Sequence, residues 1–267
     1  MGGGALMTPV LVLLFKIEPL AAVSSDIVAS MVMKPVGGGV HFRRGSVNLG
    51  LVKWLVIGSV PSAFLGVVLL KFTGHGHDLQ AHVKIALGLA LLIVVAGLII
   101  KPLLTRGRKA GDSMMPITVK PLQTTMIGIA GGLIVGMTSV GSGSLMIILL
   151  LMLYPTLRLS ELVGTDLVQA VPLVASAAVG HFLLGDFRLD LTASILVGSL
   201  PGVFFGAMLS SRAPDRVIRP CLIVVLLASS LKLLGASNTL LAAAVVALLI
   251  GGLVFLLSAP RQSTTSS

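Results

Sequence analysis

The sequence is poor in charged residues, in aromatic residues and in cysteine. Charged side chains make up 10% of its 267 residues, against about 25% in soluble globular domains, which is too few to cover a surface that faces water. The single cysteine, Cys221, excludes a disulfide framework. Aromatic residues account for 4%, whereas hydrophobic residues reach 55%, and this apolar content excludes a disordered chain. The composition therefore indicates an integral membrane protein.

Long apolar runs indicate spanning helices rather than the short alternating segments of a β-barrel. A spanning helix needs about 20 apolar residues, because each residue adds about 1.5 Å across a hydrocarbon core about 30 Å thick. The predicted helices are 4–15, 20–41, 49–70, 79–100, 122–138, 144–154, 160–184, 191–209, 217–234 and 239–257. The sequence thus predicts an all-α, polytopic integral membrane protein with about eight spanning helices.

Two of these runs are too short to cross a bilayer alone, and each begins at a cluster of small residues. The first cluster is Gly2, Gly3 and Gly4; the second is Gly141, Ser142, Gly143 and Ser144. Glycine permits backbone conformations that break a helix. Irregular backbone is tolerated at membrane depth only where protein buries it or where it lines a cavity. We therefore predict half-helices that begin inside the membrane.

The chain contains an internal repeat with an offset of 140 residues, the distance from Asp26 to Asp166. Aligned Asp, His and Pro residues are informative, because leucine and valine coincide by chance in so apolar a chain. The aligned pairs include Asp26 and Asp166, His41 and His181, Gly58 and Gly198, and Pro61 and Pro201. The chain is therefore interpreted as a duplication.

Loop charges favour opposite orientations of the two halves. Loop 101–121 carries five basic residues and one acidic residue, and Lys and Arg accumulate in cytoplasmic loops. The loop with Arg43 and Arg44 is two crossings away and is predicted on the same side. Its repeat equivalent, 185–190, is net acidic and suits the outside. This arrangement predicts two inverted repeats, provided that 122–154 enters the membrane and returns; a single crossing there would make the repeats parallel.

The predicted organisation has five parts. They are repeat 1 at 1–100, a cytoplasmic loop at 101–121, repeat 2 at 122–234, a last transmembrane helix at 235–257 and a disordered tail at 258–267. Repeat 1 lacks a counterpart of 122–138, so either the true start lies upstream of Met1 or the protein works without that piece. The net charge of +10 is attributed to cytoplasmic loops, and without an RNA-binding motif no nucleic-acid partner is predicted.

Four motifs occur together in this chain. They are glycine-rich breaks beside a short helix, the steps Ser25-Asp26 and Thr165-Asp166, His-Phe-Arg-Arg-Gly at 41–45, and Gly-Ser-x-Pro-x-x-x-x-Gly from Gly58. The combination resembles the sulfite exporter TauE/SafE family over nearly the whole chain. The resemblance implies a multi-pass plasma-membrane transporter of small anions, with sulfite and organosulfonates as associated substrates. The chain departs from the family pattern in its missing first helix piece and in Ser142 and Ser144.

The two small-residue clusters are the candidate substrate-binding residues. The start of a short helix exposes unpaired backbone N–H groups and the positive end of the helix dipole, which together bind anions. Broken helices in repeat transporters place such ends near the bilayer midplane. Ser142 and Ser144 add hydroxyl donors. Ser25, Thr165 and Gln169 are also predicted to line the site as polar residues. The alternative is that the glycines only allow close helix packing.

Asp26, Asp166 and Lys34 are the candidate coupling or gating residues. An ionised aspartate at a helix centre costs about 2.5–3.5 kcal/mol on insertion scales. The hypothesis is a proton- or cation-linked role for one or both aspartates, with Ser25 and Thr165 supplying hydrogen bonds. The alternative is capping or solvation near the helix start. Lys34 is a candidate to pair with a carboxylate or to attract the anion.

The histidines are assigned no metal or catalytic role. His41 and His181 lie at predicted loop edges beside a phenylalanine, which favours interfacial anchoring. His75, His77, Asp78 and His82 have a spacing that zinc can use, but external loops often hold histidines, so no metal site is predicted.

The function predicted from these features is secondary transport of a small anion by alternating access. No Gly-x-Ser-Gly motif, helix-centred base or phosphate-binding loop is present, so neither enzymatic activity nor a cofactor is expected. An anion channel is the alternative, and an intramembrane enzyme a weaker one. The expected partners are the anion, the lipid bilayer and, as a hypothesis, protons as the coupling ion. The sequence leaves open the substrate, the transport direction and the oligomeric state.

Overall fold

The computed structural model describes residues 4–43, 45–72, 76–105, 118–184, 188–210, 215–241 and 243, and in these residues the regular structure is entirely helical. The helices are α1 (Gly4–Leu13), α2 (Pro19–Arg43), α3 (Leu49–Phe72), α4 (His77–Thr105), α5 (Pro121–Thr138), α6 (Ser144–Leu153), α7 (Leu159–Leu184), α8 (Leu189–Ser210) and α9 (Asp215–Leu233). Gly2, Gly3, most of the predicted last helix and the predicted tail lie outside the described residues.

The described part of the chain contains 5 helices that are long and apolar enough to cross a membrane, and these belong to α2, α3, α4, α5 and α7. Shorter apolar stretches are Ser144–Leu153, Leu189–Ser199 and Pro220–Leu233. Large apolar side chains on the outside of the bundle, such as Phe72 and Leu122, are exposed and suited to contact with lipid. The structure confirms the predicted all-α, polytopic architecture.

Helices α5 and α6 form a hairpin that enters the bundle and returns. The Tyr154 hydroxyl, directly after α6, accepts a hydrogen bond from the Lys120 backbone N–H at 2.8 Å and lies 2.6 Å from the Thr124 hydroxyl. Because Lys120 immediately precedes α5, the hairpin starts and ends at the same side of the bundle. The turn between the two helices is the segment 139–143. This is the re-entrant path that inverted repeats require.

Helices α2 and α7, which hold equivalent positions in the two halves, run in opposite directions. Ser24, near the start of α2, lies 2.9 Å from His181 near the end of α7. Gly38, near the end of α2, packs on the backbone of Leu167 near the start of α7. The offset of 140 residues superimposes α2 on α7, so their antiparallel packing is the relation expected of inverted repeats. The domain boundaries and the cytoplasmic side remain predictions.

A stripe of glycines lets α5 pack directly on the backbone of α3. Gly128, Gly132 and Gly136 face Leu55, Ser59 and Ala63, in that order. A Cβ atom added at Gly132 would lie 2.8 Å from the Cα atom of Ser59, closer than real side chains approach. The two backbones can meet only because these positions have no side chain. This contact fixes the re-entrant hairpin to repeat 1.

We predict that Gly132→Ala destabilises the folded protein by about 1–3 kcal/mol, because the added methyl group must displace the backbone of α3. The measurement is the thermal unfolding midpoint of the purified protein in detergent. Ala130→Leu is the matched control, because Ala130 is exposed on the same helix and a larger apolar side chain there meets no neighbour. Equal midpoints for wild type and Gly132→Ala would contradict the described packing.

Candidate functional site

The segment 139–143 between α5 and α6 is buried and irregular. Gly141 and Gly143 have φ angles of 117° and 115°, which favour glycine over any other residue. Ser139 has a φ of 59° and caps the carboxyl end of α5. A non-glycine residue in this left-handed conformation costs about 1–3 kcal/mol, and such strain is found at functional sites. The glycines of the second cluster therefore produce a helix break and not only close packing.

The amino end of α6 has no side-chain cap. Gly143 is its N-cap residue and Ser144 its first helical residue. In an uncapped helix the first amide groups lack an intrahelical acceptor. The third of them, the Met146 N–H, donates to the Gly141 carbonyl at 3.5 Å, so Ser144 and Leu145 carry the amide groups that a ligand can use. Ser142, beside this end, accepts a hydrogen bond of 2.6 Å from the ammonium group of Lys34. The structure thus brings Lys34 and the second cluster together at one helix amino terminus.

Lys34 carries the positive charge nearest the break and is half-buried. It interacts electrostatically with Asp166 and, more weakly, with Asp26. Within the described residues no direct salt bridge joins it to either carboxylate. Its ammonium group is therefore held by Ser142 and balanced by the two repeated aspartates at longer range, which leaves donor capacity for a further acceptor.

Asp26 connects α2 to α1 and to the break. Its Oδ2 atom accepts hydrogen bonds from the hydroxyls of Thr8 on α1, at 3.0 Å, and Ser139, at 2.7 Å. Its Oδ1 atom is buried without a hydrogen-bond partner, and so is the hydroxyl of Ser25. The expectation that Ser25 would hydrogen-bond the aspartate is wrong, since two residues from other helices supply those bonds.

Asp166 is held within a network between α7 and α3. Its Oδ1 atom accepts a hydrogen bond of 3.1 Å from Gln169, whose own oxygen accepts one from Ser59 at 3.2 Å. Thr165 was expected to support this carboxylate, but its hydroxyl instead accepts a hydrogen bond from the Asn48 backbone N–H, directly before α3. Asp166, Thr165 and Gln169 are all buried and bonded within the protein.

The two repeated aspartates lie towards opposite ends of the α2–α7 pair. Asp166 is adjacent to Leu167, which packs on Gly38, whereas Asp26 lies two residues from Ser24 at the other end of the contact. The separation along α2 is about twelve residues, or about 18 Å. Lys34 lies between these levels, next to Ser142. The arrangement is one cation between two anions, beside the break.

His181 joins three helices in the interior. It is fully buried, its Nε2 atom lies 2.8 Å from the Gly136 carbonyl oxygen, and its Nδ1 atom lies 2.9 Å from the Ser24 hydroxyl. Because a carbonyl only accepts, Nε2 carries a proton. The interpretation of His181 as an interfacial anchor is wrong, since α7 continues past it.

Other features lie away from the break. His41 is half-buried at the end of α2, and its Nδ1 atom lies 3.0 Å from the Ser46 hydroxyl. A cavity of about 210 Å³ opens near Ile17 and Arg188. In the part of the chain that the structure describes, no three His, Cys, Asp or Glu side chains form a metal-ligating group.

The sequence profile of the Sulfite exporter TauE/SafE family matches residues 1–233. The chain belongs to this family. A relative named probable membrane transporter protein YjnA, from Bacillus subtilis strain 168, is 38% identical over 235 residues, which cover 87% of this chain and 92% of the relative. Another from the same organism, probable membrane transporter protein YdhB, is 25% identical over 236 residues and covers the same shares. No solved structure shows a significant match.

Membership of the TauE/SafE family confirms the resemblance inferred from the motifs. The chain is accordingly a multi-pass membrane transporter, and the long apolar helices agree with that placement. The matched region includes α1, the break and both repeated aspartates.

We predict that His181→Leu destabilises the protein by about 1–3 kcal/mol, because the buried Gly136 carbonyl loses its hydrogen-bond donor. The unfolding midpoint in detergent should fall accordingly. His82→Gln provides the control, because His82 is exposed on α4 and its replacement should leave the midpoint unchanged. A similar midpoint for His181→Leu and His82→Gln would show that the buried bridge contributes no stability.

Proposed function

We propose that this chain is a secondary transporter of a small anion, with sulfite or an organosulfonate as substrate, and that the anion binds at the amino end of α6. The observation that carries the proposal is the hydrogen bond of 2.6 Å between Lys34 and Ser142, beside an uncapped helix start. The family is named for sulfite export, and sulfite offers three oxygen acceptors to such a site.

The electrostatics of this arrangement favour an anionic ligand. The amino end of a helix carries about half a positive charge, and anions are stabilised there. Lys34 adds a full positive charge at the same place, which is unfavourable until an anion arrives. A small oxyanion can accept bonds from the ammonium group, from the first amide groups of α6 and from the hydroxyls of Ser142 and Ser144.

The proposed transport mechanism is alternating access between the two halves. The middle of helix α1 lies near the break, since Thr8 reaches Asp26 together with Ser139, and the helix ends at the side where α2 starts. Helix α6 begins at the break and ends at the opposite side, beside Lys120. Two half-helices thus approach one level from opposite sides, as in transporters built from inverted repeats. Gly4, the first residue of α1, is proposed to complete the site from the α1 side.

We predict that Lys34→Met lowers sulfite transport at least tenfold, because the charge that attracts the anion is removed, and that Ser142→Ala lowers it less. The measurement is uptake of radiolabelled sulfite into proteoliposomes, kept anaerobic. Lys53→Met is the matched control, because Lys53 is exposed on α3 with its ammonium 5.7 Å from the centre of the Trp54 ring. Transport by Lys34→Met at the wild-type rate would overturn the proposed site.

Counterflow should separate a transporter from an anion channel. We expect unlabelled sulfite inside the vesicles to accelerate uptake of labelled sulfite, because alternating access returns the carrier faster when it is loaded. Uptake should also saturate with concentration, and comparison with sulfoacetate, taurine and sulfate should rank the substrates. A membrane conductance without such acceleration would identify a channel.

A further inference from the structure

We propose that Asp26 forms a binding site for a sodium ion at the carboxyl end of α5, and that this ion couples to movement of the anion. The inference rests on the proposed function for its role in coupling, but the binding site stands on its own contacts. These contacts lie at the end of the break opposite to the proposed anion site.

The first observation is a pair of buried oxygen atoms without partners. The Asp26 Oδ1 atom and the Ser25 hydroxyl make no hydrogen bond, although Asp26 is 1% exposed and Ser25 0%. A buried polar atom that is left unsatisfied is destabilising, and each such group in a folded protein calls for a specific explanation. The proposed cation is bound by the Asp26 Oδ1 atom, with the Ser25 hydroxyl proposed as a second ligand, and it supplies that explanation.

The second observation is the position of the carboxylate relative to the helix dipoles. Ser139, which donates to Asp26, caps the carboxyl end of α5, where the helix dipole is negative. Lys34 meets the positive end of α6 on the other side of the same break. Each charged side chain therefore faces the helix end of its own sign. A cation at Asp26 and an anion at Lys34 relieve both repulsions.

The hydrogen bonds favour sodium over a proton as the cation. A proton on Oδ2 can be accepted by the hydroxyl of Thr8 or Ser139, but it leaves the buried Oδ1 atom without a partner, whereas a cation bound to Oδ1 satisfies it. A metal ion needs only lone pairs. Thr8 and Ser139 direct their hydrogens to Oδ2 and keep their own lone pairs free, and hard oxygen ligands suit a small hard cation.

The site also provides a route for coupling. Asp26 is bonded to α1 through Thr8 and to the break through Ser139, which is held in a left-handed conformation. A cation on this carboxylate holds both half-helix ends against α2, where Lys34 lies two turns further along. Occupancy of the cation site thereby sets the geometry of the anion site.

Thermal unfolding in detergent tests the binding site without any transported anion. We expect replacement of choline chloride by sodium chloride, at constant ionic strength, to raise the unfolding midpoint by several degrees in a saturable manner, because a ligand that binds only the folded state stabilises it. Potassium should have a smaller effect. Asp26→Asn should abolish the sodium response, and Ser25→Ala should raise the half-saturating sodium concentration about tenfold.

Ser25→Ala is the sharper variant, because its hydroxyl has no protein partner to lose, so the sodium-free protein should unfold at the wild-type midpoint or above it. Asp166→Asn is the matched control and should keep the sodium response, since that carboxylate is bonded to Gln169. A wild-type protein stabilised by lower pH and not by sodium would overturn the proposal, as would an unchanged response in both Asp26→Asn and Ser25→Ala. Sodium binding and sulfite counterflow are measured separately, so failure of the cation site is distinguishable from failure of the anion site.

Discussion

A helix that breaks inside a bilayer has to find protein or ligand partners for its free backbone groups, and the structure is organised around one such break. The segment 139–143 has no water to satisfy it at membrane depth, so other helices surround it. Asp26 accepts a hydrogen bond from Ser139 at one end of the segment, and Lys34 donates a hydrogen bond to Ser142 at the other end. Helix α2 thus presents an anion and a cation to the two ends of one interruption.

The glycine stripe between α3 and α5 makes this arrangement possible. Backbone contact at Gly132 and Gly136 sets the depth of the hairpin in the bundle, and the Gly136 carbonyl then meets His181 from α7. His181 in turn reaches Ser24, two residues before Asp26. A continuous set of contacts therefore runs from the packing stripe to the carboxylate at the break, and packing and chemistry are fixed by the same helices.

Much of this organisation follows from sequence, because it depends on local conformation and on duplication. Glycines at 141 and 143 predict the break, and the short run after them predicts the return of α6. Small residues four apart are typical of close helix contacts, so the stripe Gly128, Gly132 and Gly136 could also be predicted from the sequence. The partners of Asp26 were not predictable: Thr8 and Ser139 belong to distant segments, and nothing local marks Ser139 for a left-handed conformation.

The duplicated aspartates are two copies of one motif with different hydrogen-bond partners. In the second half Gln169 follows Asp166 by three residues and donates to it. The equivalent residue in the first half is Ala29, which has nothing to donate, and the Oδ1 atom of Asp26 is left without a partner. The residue equivalent to Lys34 is Val174, so the second repeat has no positive charge at this position. The same backbone position therefore holds a carboxylate bonded to a neighbouring glutamine in one repeat and a carboxylate with one unpaired oxygen in the other, and inversion of the repeats places them at opposite ends of the α2–α7 contact.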